Sequence, residues 1–215
     1  MAQIFLESIV PQMVPLILAS QSPRRREILS FFSYPFTTIA SSFDELSIPF
    51  TGDPIAYAKI LAESKAASLA ERFPEALLLS ADTVVFKEGR LFNKPADEKE
   101  AFSMLSELNG SWHSVFTAMT VQRGVGALQR RVTAYEETRV LFHQLSPREL
   151  ALYHKTFDGT DKAGGYGIQQ GGALIVKKIE GCFYNVMGLP LATCRQLLAE
   201  MGIDLWYYLA SSQPS

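Results

Sequence analysis

The sequence predicts a mixed α/β fold in which helices flank a central sheet. Short apolar runs and amphipathic helical patterns alternate along most of the chain, which is typical of this class. Two β-rich runs, residues 114–122 and 131–142, follow each other without a helix between them, so the alternation is not the strict one of a purely parallel sheet. The 215 residues, of which 47% are hydrophobic and 20% charged, are enough to bury a full core.

The first predicted elements are a short strand, a polar corner and a helix. Residues 16–18 are apolar and predict a buried strand. Ser22 is a good N-cap, and Pro23 suits the first helical position because the missing N–H would be unpaired there. Such a corner directs free backbone N–H groups and the positive end of the helix dipole towards one point, which favours an anion. Arg24 and Arg25 stand where the dipole disfavours cations, so either a bound phosphate removes the conflict or both arginines are simply solvated.

The remaining elements follow from cap residues, apolar periodicity and turn residues. Helix starts are predicted at Asp53-Pro54 and at the capping box Ser146-Pro-Arg-Glu149. The predicted helices are residues 54–73, 98–108, 146–156 and 189–201. The predicted strands are residues 36–39, 76–81, 114–122, 131–142 and 173–179, with a hairpin at 84–91.

Lys65 lies in the apolar stripe of the helix predicted over residues 54–73. Leu61, Ala62 and Leu69 share its face at helical spacing, so the ammonium group should point towards the core. An unpaired buried ammonium is costly, and it therefore needs a carboxylate or a ligand anion unless it reaches an edge of the helix. The pattern alone leaves these possibilities open.

Two carboxylates and a second lysine are further candidates for chemistry. Asp82 follows the strand predicted at 76–81, and a carboxylate at a strand end can hold a divalent metal or accept a proton from water. Glu45, in the polar segment after residue 39, would be a natural second oxygen ligand. Lys94 follows the predicted hairpin and could contact phosphate. The alternatives are a turn residue, a solvated glutamate and an exposed lysine.

A glycine-rich stretch covers residues 161–172. Its five glycines permit positive φ angles and a close approach of the backbone to a ligand. The spacing is not that of a dinucleotide-binding loop or a phosphate-binding P-loop. Tyr166 could stack on a base, and the amide of Gln169 could hydrogen-bond to it. Alternatively, the stretch is a flexible surface loop.

Composition and charge exclude several function classes. A net charge of −2 disfavours broad binding to nucleic acid, and no apolar run approaches the length of a membrane span. The first fifteen residues lack the basic region of a signal peptide. The two cysteines, Cys182 and Cys194, have no CxxC partner and predict reduced thiols, and the three histidines lack metal-ligand spacing. We therefore expect a cytoplasmic protein that binds neither nucleic acid nor membranes.

Seven short motifs occur along the chain in a fixed order. They are LASQSPRR at 18–25, DE at 44–45, AESKA at 62–66, SADTVV at 80–85, NKP at 93–95, DKAGGYGIQ at 161–169 and NVMGLP at 185–190. In these motifs and their order the sequence resembles the Maf family of nucleotide pyrophosphatases, first named for septum formation. The resemblance extends over residues 16–201, nearly the whole chain.

The resemblance implies a fold and a domain organisation. The implied fold is a mixed α/β structure with a long, bent sheet that divides it into two lobes around a deep cleft, as in the inosine triphosphate pyrophosphatases. We expect a single domain over residues 16–210, with an N-terminal extension at 1–15 and a flexible tail at 211–215. The family also suggests a homodimer.

The resemblance further implies a reaction. Relatives of this kind are acid-anhydride hydrolases that convert a nucleoside triphosphate to the monophosphate and pyrophosphate with a divalent metal. Arg24, Thr83 and Gln169 match the dTTP/UTP pyrophosphatase subgroup and would set specificity, which could extend to modified pyrimidine nucleotides. The alternative is a nucleotide-binding regulatory module in cell division, but a pure binder would not need a proton acceptor.

The predicted site residues combine these motifs with the phosphate-binding corner. Asp82 would accept a proton from the attacking water, and Glu45 together with Asp82 would hold Mg²⁺ or Mn²⁺. The predicted phosphate-binding residues are Ser20, Ser22, Arg25, Lys65 and Lys94. Cations gathered around one free carboxylate are what hydrolysis of a triphosphate requires.

Overall fold

The structure is a computed structural model that describes residues 13–169 and 171–209. The predicted tail at 211–215 and most of the predicted extension at 1–15 lie outside these ranges. The strands are β1 (Leu16–Leu18), β2 (Phe36–Thr38), β3 (Leu77–Lys87), β4 (Arg90–Phe92), β5 (Trp112–Arg123), β6 (Arg130–Phe142) and β7 (Val176–Glu180). The helices are α1 (Pro23–Leu29), α2 (Pro54–Ala70), α3 (Glu98–Leu108), α4 (Pro147–Thr156), α5 (Gly172–Ile175), α6 (Phe183–Val186) and α7 (Leu191–Glu200).

All seven strands join one mixed sheet. Their order is β2-β1-β3-β5-β6-β7, and the short β4 pairs with β3. Strand β1 is parallel to β2 and β3, whereas the other pairs are antiparallel. Helices α1 and α2 lie in the connections between the parallel strands, and β5 and β6 form a long hairpin. The predicted mixed α/β class is therefore confirmed.

Strand β3 differs from the prediction of a strand ending at residue 81. It continues without a break through Asp82 to Lys87 because its backbone pairs with β5 from Leu78 to Phe86. Asp82 therefore lies in the middle of a long strand and not at a strand end. The predicted hairpin turn is confirmed after Lys87, where Glu88 and Gly89 have φ angles of 48° and 83°, the conformation that a two-residue hairpin turn requires.

The strand predicted at residues 173–179 also begins later than expected. Residues Gly172–Ile175 form a helical turn, and strand β7 starts only at Val176. The turn packs tightly against the preceding loop, since a Cβ atom on Gly172 would lie 2.3 Å from the carbonyl oxygen of Gly167. This close approach, which a residue with a side chain could not make, favours the helical turn.

Both faces of the sheet are covered, so neighbouring residues of β3 face different helices. Leu77 and Leu79 pack in the cluster that contains Ile28 of α1 and Leu197 of α7. Leu78 packs instead with Ala66 of α2. Because side chains alternate along a strand, Asp82 projects towards α2 and Thr83 towards α1. No helix in the described part of the chain is long and apolar enough to span a membrane.

Candidate active site

The described residues enclose a cleft of about 340 Å³ beside the end of β1. Its walls come from the corner between β1 and α1, the loop after β2, strand β3, the glycine-rich loop and the segment after α6. Nine predicted site residues line it: Ser20, Ser22, Arg24, Arg25, Glu45, Lys65, Thr83, Lys94 and Gln169. Asp82 does not line the cleft but lies directly behind Lys65, to which it hydrogen-bonds.

The corner between β1 and α1 fixes Arg25 against the opposite wall. Ser22 caps α1 as predicted, because its hydroxyl accepts the backbone N–H of Arg25. The Arg25 guanidinium makes three contacts: Nε donates to the carbonyl oxygen of Gly188 at 2.8 Å, Nη2 to Thr83 Oγ1 at 3.1 Å and Nη1 to Ser20 Oγ at 3.4 Å. Burial lowers the pKa of Arg25, and the nearby Asp82 carboxylate opposes that shift. The guanidinium is therefore positioned before any ligand binds.

Arg24 connects the corner to the glycine-rich loop. Its Nη1 lies 2.9 Å from Asp161 Oδ2, and Lys162 hydrogen-bonds to the same carboxylate. Burial alone would raise the pKa of Asp161, but the hydrogen bonds from Lys162 and Arg24 outweigh it and lower the pKa. Asp161 is therefore an ionised partner that ties Arg24 across the cleft, a pairing that the motifs did not predict.

Lys65 lies between two carboxylates. Only 7% of the residue is exposed, and its Nζ contacts Glu45 Oε1 at 2.9 Å and also hydrogen-bonds to Asp82 Oδ1. A buried ion pair therefore explains the lysine in the apolar stripe, and the lysine does not extend to the helix edge. The same ammonium faces the cleft, where a phosphate could replace one of its partners.

The surroundings of the two carboxylates separate their pKa values. Burial raises the pKa of Asp82, and the charges of Lys65 and Arg25 oppose this without cancelling it. Burial acts on Glu45 in the same direction, but there Lys65, Lys94 and Arg25 prevail and lower the pKa. Two carboxylates whose pKa values diverge are typical of a pair with different roles, one of which exchanges protons.

Lys94 and Gln169 line the rim of the cleft, where both are at least partly exposed. Lys94 follows β4 and is exposed, so its ammonium is free to contact a ligand. Gln169 is half-buried at the end of the described part of the glycine-rich loop. Neither side chain has a hydrogen bond within the described residues that would fix it in one direction, unlike Arg24 and Arg25.

Tyr166 does not stack freely on a ligand as the sequence suggested. It is 5% exposed, its hydroxyl bonds to His113 Nε2 at 2.8 Å, and its ring packs edge-on against Phe142. Burial lowers the pKa of His113 to about 3, so that imidazole is neutral. The glycine-rich stretch is also not a loose surface loop, because Gly165 approaches the backbone of Ala101 closely. Tyr166 is therefore part of the rigid wall of the cleft.

The donor atoms suit a divalent cation only in part. In the described part of the chain no three His, Cys, Asp or Glu side chains converge on one point. Glu45 and Asp82 supply two carboxylates, which is the number that Mg²⁺ commonly uses when substrate phosphates complete its shell. The Lys65 ammonium now lies between them. The residues therefore fit a metal that arrives with a phosphorylated ligand.

A cleft lined by arginine and lysine side chains, with a buried carboxylate behind one of the lysines, is of the kind that suits a polyanionic ligand. The chain belongs to the family described as Maf-like protein, whose family model matches residues 15–201.

Three relatives illustrate the similarity. The dTTP/UTP pyrophosphatase of Chlamydia caviae is 47% identical over 197 residues, which cover 90% of this chain and 97% of the relative. The dTTP/UTP pyrophosphatase of Chlamydia felis is 46% identical over 197 residues, with the same shares. The nucleoside triphosphate pyrophosphatase of Chlamydia muridarum is 43% identical over 196 residues, covering 91% of this chain and 98% of the relative.

Proposed function

We propose that this protein is a nucleoside triphosphate pyrophosphatase that hydrolyses dTTP and UTP to the monophosphate and pyrophosphate. The observation that carries the proposal is the pairing of Asp82, a buried carboxylate with a raised pKa, with Lys65 at the back of a cationic cleft. Membership of the Maf-like family and the names of its relatives support the same reaction.

The cations of the cleft would bind the triphosphate. Arg25 is fixed on one wall, Lys94 extends from the rim, and Ser20 and Ser22 border the corner. As a phosphate approaches Lys65, the ammonium gains a third anionic partner besides Glu45 and Asp82, and its hold on Asp82 weakens. Charges placed in advance around the transferring phosphoryl group are the main source of catalysis in reactions of this kind.

Asp82 would then act as the general base. Its carboxylate takes a proton from a water molecule while the oxygen of that water forms a bond to phosphorus. The phosphoanhydride bond between the α and β phosphates breaks, and its electron pair stays on the oxygen of the departing group, which gives the monophosphate and pyrophosphate. A base whose pKa is raised towards the working pH accepts this proton more readily than an ordinary aspartate.

A divalent cation, Mg²⁺ or Mn²⁺, is part of the proposal. Glu45, Asp82 and the substrate phosphates would together hold this cation. The cation would neutralise negative charge on the phosphate oxygens. The lowered pKa of Glu45 keeps that carboxylate ionised and able to bind a cation.

Specificity for the nucleotide would come from residues that line the cleft. Gln169 offers both a donor and an acceptor, as hydrogen bonding to a pyrimidine base requires. Arg24 and Thr83 flank the phosphate-binding corner, so they would set the position of the nucleotide along the cleft. The same contacts could admit modified pyrimidine nucleotides. The homodimer and the cytoplasmic location stay predictions.

The test is a panel of canonical and modified triphosphates incubated with Mg²⁺ or Mn²⁺, with pyrophosphate release measured. We expect turnover of dTTP and UTP above that of purine nucleotides, and loss of turnover when EDTA removes the metal. Turnover of no triphosphate would contradict the proposal and favour a regulatory nucleotide-binding module.

The rate should depend on pH through Asp82. Because burial raises its pKa above the ordinary value of 3.8, the ionised base is lost as the pH falls through that raised pKa. We expect kcat/KM for dTTP to rise with pH along an acid limb centred above 3.8, by about tenfold per pH unit on its steep part. A pH profile of kcat/KM checks this, and an acid limb at or below 3.8 would be the contrary result.

Asp161 should influence substrate choice through Arg24. Asp161→Asn weakens the contact that holds Arg24 across the cleft, and we expect the ratio of kcat/KM for dTTP to that for GTP to fall by about threefold, as befits a partly exposed ion pair. Asp158→Asn is the matched control, because Asp158 belongs to the same loop but bonds to Thr160. Equal ratios in the two variants would show that Asp161 has no part in selection.

A further inference from the structure

Thr117 lies behind the cleft wall and does not line the cleft. It is in the middle of β5, is fully buried and stands directly opposite Thr83 of β3. Its Oγ1 lies 2.9 Å from Thr83 Oγ1 and 2.9 Å from the backbone carbonyl oxygen of Asn185. Thr83 in turn contacts Arg25, so a chain of hydrogen bonds runs from the cleft into the core.

The hydrogen-bond donors and acceptors allow only one arrangement of the hydroxyl protons along this series of hydrogen bonds. A carbonyl oxygen can only accept, so Thr117 must donate its single hydroxyl proton to Asn185. Thr117 can then only accept from Thr83, which therefore gives its proton inwards. The guanidinium of Arg25 can only donate, and it completes the series by donating to Thr83.

The inner end of the chain is rigidly held. The side-chain Nδ2 of Asn185 donates to the carbonyl oxygen of Val115 and to Thr138 Oγ1, each at 2.9 Å. Three residues later, Gly188 has a φ of +102° and its carbonyl oxygen accepts from Arg25 Nε. The segment from Asn185 to Gly188 therefore fixes the guanidinium at two points, directly through Gly188 and indirectly through Thr117.

We propose that Thr117 is a positioning residue that orients Arg25 and Thr83 for the triphosphate. This inference rests on the proposed function. By taking the proton of Thr83, Thr117 leaves Thr83 as an acceptor towards the cleft, with no proton to offer a substrate oxygen. The orientation of Arg25 therefore depends on a residue that touches no ligand.

The chain provides a matched control for the test. Thr120 is also fully buried in β5, and its Oγ1 lies 2.9 Å from another threonine hydroxyl, that of Thr133. Neither Thr120 nor Thr133 lines the cleft. The substitutions Thr117→Val and Thr120→Val therefore each remove one threonine hydroxyl from β5. Only Thr117→Val interrupts the series of hydrogen bonds that leads to Arg25.

We expect Thr117→Val to lower kcat/KM for dTTP by about tenfold, the effect of disturbing one hydrogen bond to a charged group. For Thr120→Val we expect kcat/KM for dTTP to stay within about twofold of the parent value. Thr117→Ser, which restores the hydroxyl, should recover most of the loss. Equal kinetics for the two valine variants, or no recovery with serine, would overturn the proposal. If Thr117→Val does not fold, Thr117→Ala takes its place.

Crystal structures of the two valine variants give an answer that does not depend on activity. We expect Arg25 to lose its contact with Thr83 in Thr117→Val and to keep it in Thr120→Val. An unmoved Arg25 in both variants would overturn the positioning role even if dTTP is a substrate. A parent protein that hydrolyses no triphosphate would instead contradict the proposed function, and the crystallographic comparison would still decide whether Thr117 orients Arg25.

Discussion

Asp82→Asn is expected to lower the rate of pyrophosphate release from dTTP by at least about a hundredfold, the usual contribution of a general base. Asparagine keeps the size of the side chain and an oxygen for the hydrogen bond from Lys65, but it cannot accept the proton of water. The expected loss is in kcat, with a smaller change in KM, because Arg25 and Lys94 still bind phosphate.

The stability of this variant should not fall with its activity. Burial raises the pKa of Asp82, so a neutral amide at this position has no buried negative charge to stabilise, and Glu45 remains as the anionic partner of the Lys65 ammonium. We expect an unfolding temperature close to that of the parent. Asp204→Asn is the control, because Asp204 is away from the cleft and caps a short helix at Trp206, a role that asparagine can also fill. Full activity of Asp82→Asn would show that another group takes the proton.

Arg25→Lys should reduce kcat/KM for dTTP by about a hundredfold although the charge is kept. A single ammonium cannot reproduce the three contacts of the planar guanidinium with Gly188, Thr83 and Ser20. A displacement of about 1 Å in a group that positions substrate is enough for a loss of this size.

Arg26→Lys is the matched control for this second prediction. Arg26 is the next residue in α1 and is exposed, and its side chain does not line the cleft. We expect it to leave kcat/KM within about twofold of the parent, as for most surface substitutions. Similar values of kcat/KM for Arg25→Lys and Arg26→Lys would mean that the contacts of Arg25 support the fold but do not position the substrate.

Local sequence signals were sufficient to predict the corner between β1 and α1 and most of the helices and strands. Ser22 caps α1 with Pro23 at its first position, and Ser146 with Glu149 forms the predicted capping box. These features depend on residues a few positions apart, so the sequence contains all the information. The predicted positions of Lys65 and Glu45 at one cleft came from the family motifs, and the structure brings those residues together.

Pairings between distant residues could not be predicted in the same way. The extension of β3 past Asp82 is imposed by pairing with β5, which overrides the turn tendency of Asp82-Thr83. Arg24 and Asp161 are 137 positions apart, and no spacing rule connects them. Thr117 resembles any strand threonine until its contacts with Thr83 and Asn185 are known.

The products of dTTP hydrolysis test the central claim most directly. Phosphorus NMR of a reaction with purified protein and Mg²⁺ distinguishes cleavage at the two anhydride bonds. We expect equal amounts of dTMP and pyrophosphate from the parent, and at least about a hundredfold less of both from Asp82→Asn in the same time. Formation of dTDP and inorganic phosphate, or no reaction of dTTP at all, would contradict that claim.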